Sequence, residues 1–238
     1  MLMKRGICYG VSVGPGDPEL ITRKALEVIN SSDVIFLPTY PKENCKVYQI
    51  IKGALPEISE SKYICIDTKG MADPSLQADR YYTLACEVKN YLDDGKSVAF
   101  PALGEVSLYS TFFYIHERLI SDGYMCETLS GVSSVQEIAN RVGISLAQGD
   151  EEIHIFPNTE KLDERLCMPG TKVFMKPKGN FSETIGIIKE YVNEHTSANV
   201  YGVSNCGTDK ETIATCADEL DRLSGYMTVL IVKESGRK

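Results

Sequence analysis

The stretch Tyr9–Asn30, YGVSVGPGDPELITRKALEVIN, decides how the rest of the chain is read. An apolar run over residues 6–13 reads as a buried strand. It ends in Gly14-Pro15-Gly16-Asp17-Pro18, and a helical pattern follows. Pro18 suits a first helical turn and Asp17 suits its N-cap. Leu20, Ile21, Ala25, Val28 and Ile29 then recur at roughly helical spacing, which predicts a helix over Glu19–Asn30. Three readings of the turn stand open: a plain connector, a phosphate cradle, or the floor of an active site. Its spacing is neither G-x-G-x-x-G nor the P-loop pattern G-x₄-G-K-[ST].

Working outward, strand and helix patterns alternate. Asp33–Pro38 reads as a second buried strand, and a helix near Tyr48–Ala54 precedes a third strand in KYICID. A longer helix over Gln77–Leu92 stops at the DDG around Gly95. Ser97–Leu103 is a fourth strand, running into Gly104 and a helix in LYSTFFYIHERLIS. Such alternation predicts a parallel sheet with helices on its faces, and ligands then bind beyond the carboxyl ends of the strands.

After Ser121 the pattern changes. A short strand near Met125–Leu129 leads to a helix over Ser134–Val142. Strand candidates follow in EIHIFP, TKVFMK, NVYGVSN, TIATC and YMTVLIVK, with helices near Ser182–Glu194 and Ala217–Leu223. The expectation is two α/β domains, 1–121 with a mostly parallel sheet and 122–238 with a mixed one.

Composition bounds the function. The chain has 238 residues, 43% hydrophobic and 24% charged, with a formal net charge of -8. That balance argues against a broad nucleic-acid or anionic-membrane footprint. There is no apolar run of about 18 residues and no signal-peptide pattern, so the expected place is the cytoplasm. None of the eight cysteines forms a C-x-x-C pair, and the three histidines form no H-x₃-H pair, so no metal site is expected.

Two further strand-to-helix junctions match the first. PALGEVSLYSTFFY places Gly104, Ser110 and Thr111 after the fourth strand. SGVSSVQEIANRVG places Gly131, Ser133 and Ser134 after the fifth. Glycine at such ends permits close backbone approach.

Together these segments resemble the tetrapyrrole methyltransferases, the S-adenosylmethionine-dependent enzymes of sirohaem and cobalamin synthesis. The similarity covers essentially the whole chain. VGPGDPELITRKALEVINSSDVIFLP, LGEVSLYSTFFYIHERL, SGVSSVQEIANRVGISLAQGDEEIHIFP, VFMKPKGN and VSNCGTDKETI match the family's segments in order. SLYSTFFYIHERL with GVSSVQEIANRVGISLAQGDE is most similar to the branch that methylates C20 of precorrin-2 or cobalt-factor II. The resemblance implies a donor site in a cleft between the two domains, a tetrapyrrole substrate, and a homodimer. It implies donor contacts at Pro15, Leu103, Gly104, Glu105, Leu108, Ser133, Ser134, Met175, and Cys206 or Gly207.

Two departures stand out. The family's usual Gly-Asp-Pro is Gly104-Glu105-Val106, and its usual proline before Gly131 is Ser130. Losing the fixed φ of proline at 106 predicts a more mobile loop. Candidate proton acceptors are Asp17 first, then Glu105 and Tyr109. The pool of cations for substrate carboxylates is Arg23, Lys42, Lys46, Arg118, Lys176 and Lys178. The competing readings are methylation of another tetrapyrrole carbon, of RNA or of a modified protein residue, a non-catalytic ligand-binding relative, and a nucleotide-dependent oxidoreductase.

Overall fold

The computed structural model describes residues 5–38, 41–66, 74–177, 179–225 and 227–234. The chain divides into two compact units, Met1–Ser133 and Ser134–Lys238.

The first unit runs β1 (Ile7–Ser12), α1 (Arg23–Ser31), β2 (Val34–Leu37), α2 (Lys46–Ala54), β3 (Tyr63–Cys65), α3 (Pro74–Asp93), β4 (Val98–Ala102), α4 (Phe112–Ser121) and β5 (Met125–Leu129). Its sheet has the order β3-β2-β4-β1-β5, every pairing parallel. A strand turns alternate side chains to opposite faces, so a doubly covered parallel sheet needs apolar residues at both. Phe36, Val98 and Phe100 pack on one face with Leu84 and Val88 of α3 and with Phe112, Ile115 and Leu119 of α4. Val11, Ile35, Leu37 and Ala99 pack on the other with Ala25 and Ile29 of α1 and with Ile50 and Ile51 of α2.

Neighbouring strands β1 and β4 are therefore followed by helices on opposite faces. Beyond their carboxyl ends the two chain directions part, which is where ligands bind in open α/β sheets.

Two sequence expectations change here. The continuous helix over Glu19–Asn30 is two pieces. Asp17 caps a three-residue 3₁₀ turn, Pro18–Leu20, by accepting from the Glu19 N–H at 2.9 Å. Thr22 caps α1, its hydroxyl accepting from the Ala25 N–H at 3.2 Å. The boundary also differs from residue 121: β5 pairs in register with β1, Ile7 opposite Met125 through Val11 opposite Leu129, so the first unit extends through Ser133.

The second unit contains α5 (Ser134–Arg141), β6 (Ile153–Phe156), α6 (Leu162–Leu166), β7 (Thr171–Phe174), α7 (Phe181–Glu194), β8 (Ala198–Ser204), β9 (Thr212–Ala214) and β10 (Thr228–Glu234). Ala217–Arg222 is a 3₁₀ helix. The sheet order is β6-β7-β10-β8-β9, with β6 and β7 parallel and the remaining pairs antiparallel, the mixed sheet expected. Leu162, Leu166, Phe174, Ile188, Val200, Leu220 and Leu230 form its core. Lys172 of β7 is fully buried, and its ammonium donates to Glu234 at 2.6 Å.

Among the described residues no helix is long and apolar enough to cross a membrane.

Candidate functional site

In the first unit three turns are fastened together at the carboxyl ends of β4, β1 and β5. Gly14 follows β1 and Gly104 follows β4. The two glycines pair directly: the Gly104 N–H donates to the Gly14 carbonyl at 2.8 Å and the Gly14 N–H to the Gly104 carbonyl at 3.3 Å. Both have positive φ, +78° and +73°, a conformation that disfavours any side chain. The first two motif junctions therefore close on one another through backbone alone.

Ser12, the last residue of β1, is fully buried. Its hydroxyl accepts from the Val106 N–H at 2.8 Å and donates to Glu105 Oε2 at 3.3 Å. The same Oε2 accepts from the Gly131 N–H at 2.5 Å. Oε1 accepts from the Ser107 N–H at 3.1 Å and from its hydroxyl at 3.0 Å. Gly131 lies so close to Ser12 that an added Cβ would stand 2.4 Å from the serine Cβ.

Partial burial pushes the Glu105 carboxyl up, but the donors from Gly131, Ser107 and Ser12 outweigh it. The group is held below the usual carboxylate range. Such a carboxylate is a weak base, and its oxygens already accept four hydrogen bonds.

Val106 is 1% exposed and its N–H, which a proline would lack, is bound by Ser12. The remaining positions of this unit are less uniform. Pro15 is buried, Ser133 is buried, Leu108 is half-buried and Asp17 is half-buried at its cap. Leu103 and Tyr109 are exposed, at 40% and 45%. Tyr109 takes a φ of +53°, which costs a residue with a Cβ roughly 1–2 kcal/mol.

In the second unit, β7 and β8 both run antiparallel to β10, so Met175 and Cys206 follow strands whose carboxyl ends lie at the same end of the sheet. The Met175 N–H donates to the Phe156 carbonyl at 3.0 Å. The Gly207 N–H donates to Glu211 Oε2 at 2.6 Å. Arg141 of α5 stands 3.7 Å from Glu211 and donates to the buried Glu137 at 2.7 Å. The helix that begins at Ser134 is thereby tied to the Cys206-Gly207 turn. Burial, with Glu211 and Glu137 nearby, pushes the Cys206 thiol up to about 12, so it stays protonated at neutral pH.

Of the expected cations, Arg23 pairs with Glu27 at 2.9 Å and Lys42 with Glu60 at 2.6 Å. Arg118 lies 4.7 Å from the Tyr82 ring centre. Lys178 lies outside the described residues. Among the described residues no cluster of three or more metal-ligating side chains occurs.

Ser12, Ser107, Glu211 and Arg141 were not singled out from the sequence. Ser12 had a signal, a serine inside an otherwise mostly apolar strand. Arg141 had one too, four residues after Glu137 on a helix.

The family model "Tetrapyrrole (Corrin/Porphyrin) Methylases" matches residues 8–221. A Methanocaldococcus jannaschii protein called probable cobalt-precorrin-2 C(20)-methyltransferase is 32% identical over 236 residues, 96% of each chain. A Sinorhizobium precorrin-2 C(20)-methyltransferase is 28% identical over 180 residues, 72% of this chain and 73% of its own. The crystal structure of a Thermus thermophilus uroporphyrin-III C-methyltransferase complexed with S-adenosylhomocysteine superposes with a TM-score of 0.64. It is 17% identical and covers 96% of this chain and 98% of its own.

Proposed function

This chain belongs to the tetrapyrrole (corrin/porphyrin) methylases, and from that premise we propose that it transfers a methyl group from S-adenosylmethionine to C20 of precorrin-2 or of cobalt-factor II in cobalamin synthesis. The observation that carries the reading is the fastening of the turns at Gly14, Gly104 and Gly131 to one another, in a chain 32% identical over 96% of each sequence to a probable cobalt-precorrin-2 C(20)-methyltransferase.

The fit to the donor is one of shape and backbone. A turn closed by two positive-φ glycines leaves no side chain between ligand and main chain. Pro15, Leu103, Gly104, Leu108, Ser133 and Ser134 are the proposed contacts around those turns, with Met175, Cys206 and Gly207 from the second unit. Bound S-adenosylmethionine supplies an electrophilic methyl on a sulfonium. The task of the protein is then to orient the donor against the substrate and exclude water, and positioning of this kind accounts for about 7–11 kcal/mol of a barrier. Asp17 is the first proposed acceptor for the C20 proton and Tyr109 the second. Arg118, Lys46 and Lys176 belong to the proposed pool for substrate carboxylates. A cytoplasmic homodimer is part of the same reading, and sedimentation at twice the chain mass checks the dimer.

The test is an anaerobic assay with labelled donor on precorrin-2 and cobalt-factor II side by side, the methyl located by mass spectrometry and NMR. Methyl at C20 of either substrate is the expected outcome, and the faster substrate settles the cobalt question. Methyl at another carbon, or donor binding without turnover on any tetrapyrrole, overturns the C20 reading.

A further inference from the structure

We propose that Glu105 is a positioning residue rather than a proton acceptor: with Ser12 it forms an anionic staple that sets the spacing of the three turns beyond β4, β1 and β5. The inference rests on reading those turns as the donor site.

Three strands that lie side by side in the sheet order β4-β1-β5 each bring a group to this carboxylate, from their carboxyl ends or the turns beyond them. From β1 comes the Ser12 hydroxyl, at 3.3 Å from Oε2. From β4 comes Glu105 itself, with Ser107 folded back onto Oε1. From β5 comes the Gly131 N–H, at 2.5 Å. A backbone N–H to a carboxylate is among the stronger hydrogen bonds.

The residues at 105 and 106 act as one device. Val106 brings an N–H to that position, and the buried Ser12 oxygen takes it at 2.8 Å. With that acceptor site used, the serine proton points to Glu105. The chain of contacts is therefore Val106 N–H to Ser12, Ser12 to Glu105, and Gly131 N–H to Glu105. Proline at 106 breaks the first link by removing its donor. Aspartate at 105 is one methylene shorter and cannot hold Ser107 and Gly131 together without moving a turn.

Neutralising the carboxylate while keeping its length gives the direct test. Glu105→Gln places amide hydrogens against donors on one oxygen. The expected result is a weakening of S-adenosylhomocysteine binding, by calorimetry, of roughly tenfold or more. The maximal rate at saturating donor changes little and both limbs of its pH profile survive. In ligand-free protein, the Gly131 amide proton loses its downfield NMR position. Ser107→Ala, an exposed change, weakens donor binding by a smaller factor and guards against a Glu105 variant that fails to fold. Val106→Pro removes only the bond from Val106 to Ser12, whereas Ser12→Ala removes that bond and the one to Glu105, so the double variant loses less than the sum of the two single changes.

A collapse of the rate with unchanged donor affinity and a lost pH limb overturns the proposal in favour of a base. Unchanged donor binding in Glu105→Gln, an unmoved Gly131 amide, or additive Ser12 and Val106 effects also overturn it. If the wild-type protein binds no S-adenosyl ligand, the donor-site reading fails by itself, and the Gly131 amide still decides the staple.

Discussion

In the first unit Glu105 takes the N–H of Gly131, 26 residues away along the chain; in the second, Glu211 takes the N–H of Gly207, four residues away. The chemistry is the same and the reach is not. A four-residue closure loses little chain entropy and forms whenever the turn does. The Glu105 contact exists only after β4, β1 and β5 have paired, because those strands bring its partners into range. Arg141 gives the local clamp one long-range attachment, to the helix that begins at Ser134, but at 3.7 Å from Glu211 it is a looser one. The first unit's turns therefore depend on the whole sheet, and the second unit's turn depends mostly on itself.

The largest expected effect breaks the first of these closures sterically. Gly131→Ala drives a Cβ to 2.4 Å from that of Ser12, and overpacking of this kind costs about 1–3 kcal/mol. Gly207 has a φ of +73°, so Gly207→Ala costs about 1–2 kcal/mol from backbone strain. Thermal unfolding of the two variants compares them, and donor binding should fail in the first even at temperatures where it is folded.

Next comes charge. Glu105→Gln should lower stability by about 1.5–3 kcal/mol and Glu211→Gln by about 1 kcal/mol, since the first carboxylate gathers donors from Ser12, Ser107 and Gly131 while the second closes the nearby Gly207 turn. Denaturant midpoints measure both, and a larger loss at Glu211 would reverse the comparison.

Acid sharpens it further. The Glu105 carboxyl is held below its unfolded value, near 4.3. Its contribution is complete above that pH and disappears as the pH falls through the folded value. The stability gap between wild type and Glu105→Gln should therefore be constant near neutrality and close below about pH 4. A gap that widens in acid would mean the folded carboxyl is raised instead.

The smallest effects lie outside both clamps. Thr22→Ala should cost about 1 kcal/mol because it uncaps α1, and Asp17→Ala less, because it uncaps only a three-residue turn. The reverse order would restore the single helix that the spacing of Leu20 to Ile29 suggested.

That split helix marks how far the sequence could be read. Val34–Leu37 was legible because an unbroken apolar run leaves a buried strand few alternatives. The break at Ile21 was hidden because apolar spacing continues across it, although Thr22 carried the cap signal. The five-residue α6 was missed, being too short to show a period and following Lys161 at a φ of +54°. At the site, each glycine junction could be seen locally. That Gly14 meets Gly104, or that Glu105 meets Gly131, depends on strand order, which no local pattern encodes. The pairing of β5 with β1 was hidden for the same cause, since β5 looks like the start of something new until it is seen beside β1.

The central place of β1 also governs how the chain assembles during synthesis. β2 and β3 pair with each other, but among the described residues β1 has β4 and β5 as its neighbours. At roughly 5–20 residues per second, β1 waits about 5–20 s after its own synthesis for a partner. Throughout that time both its edges are open to other chains. A nascent chain arrested after β3 should bind hydrophobic chaperones through β1, and one arrested beyond β5 should have released them.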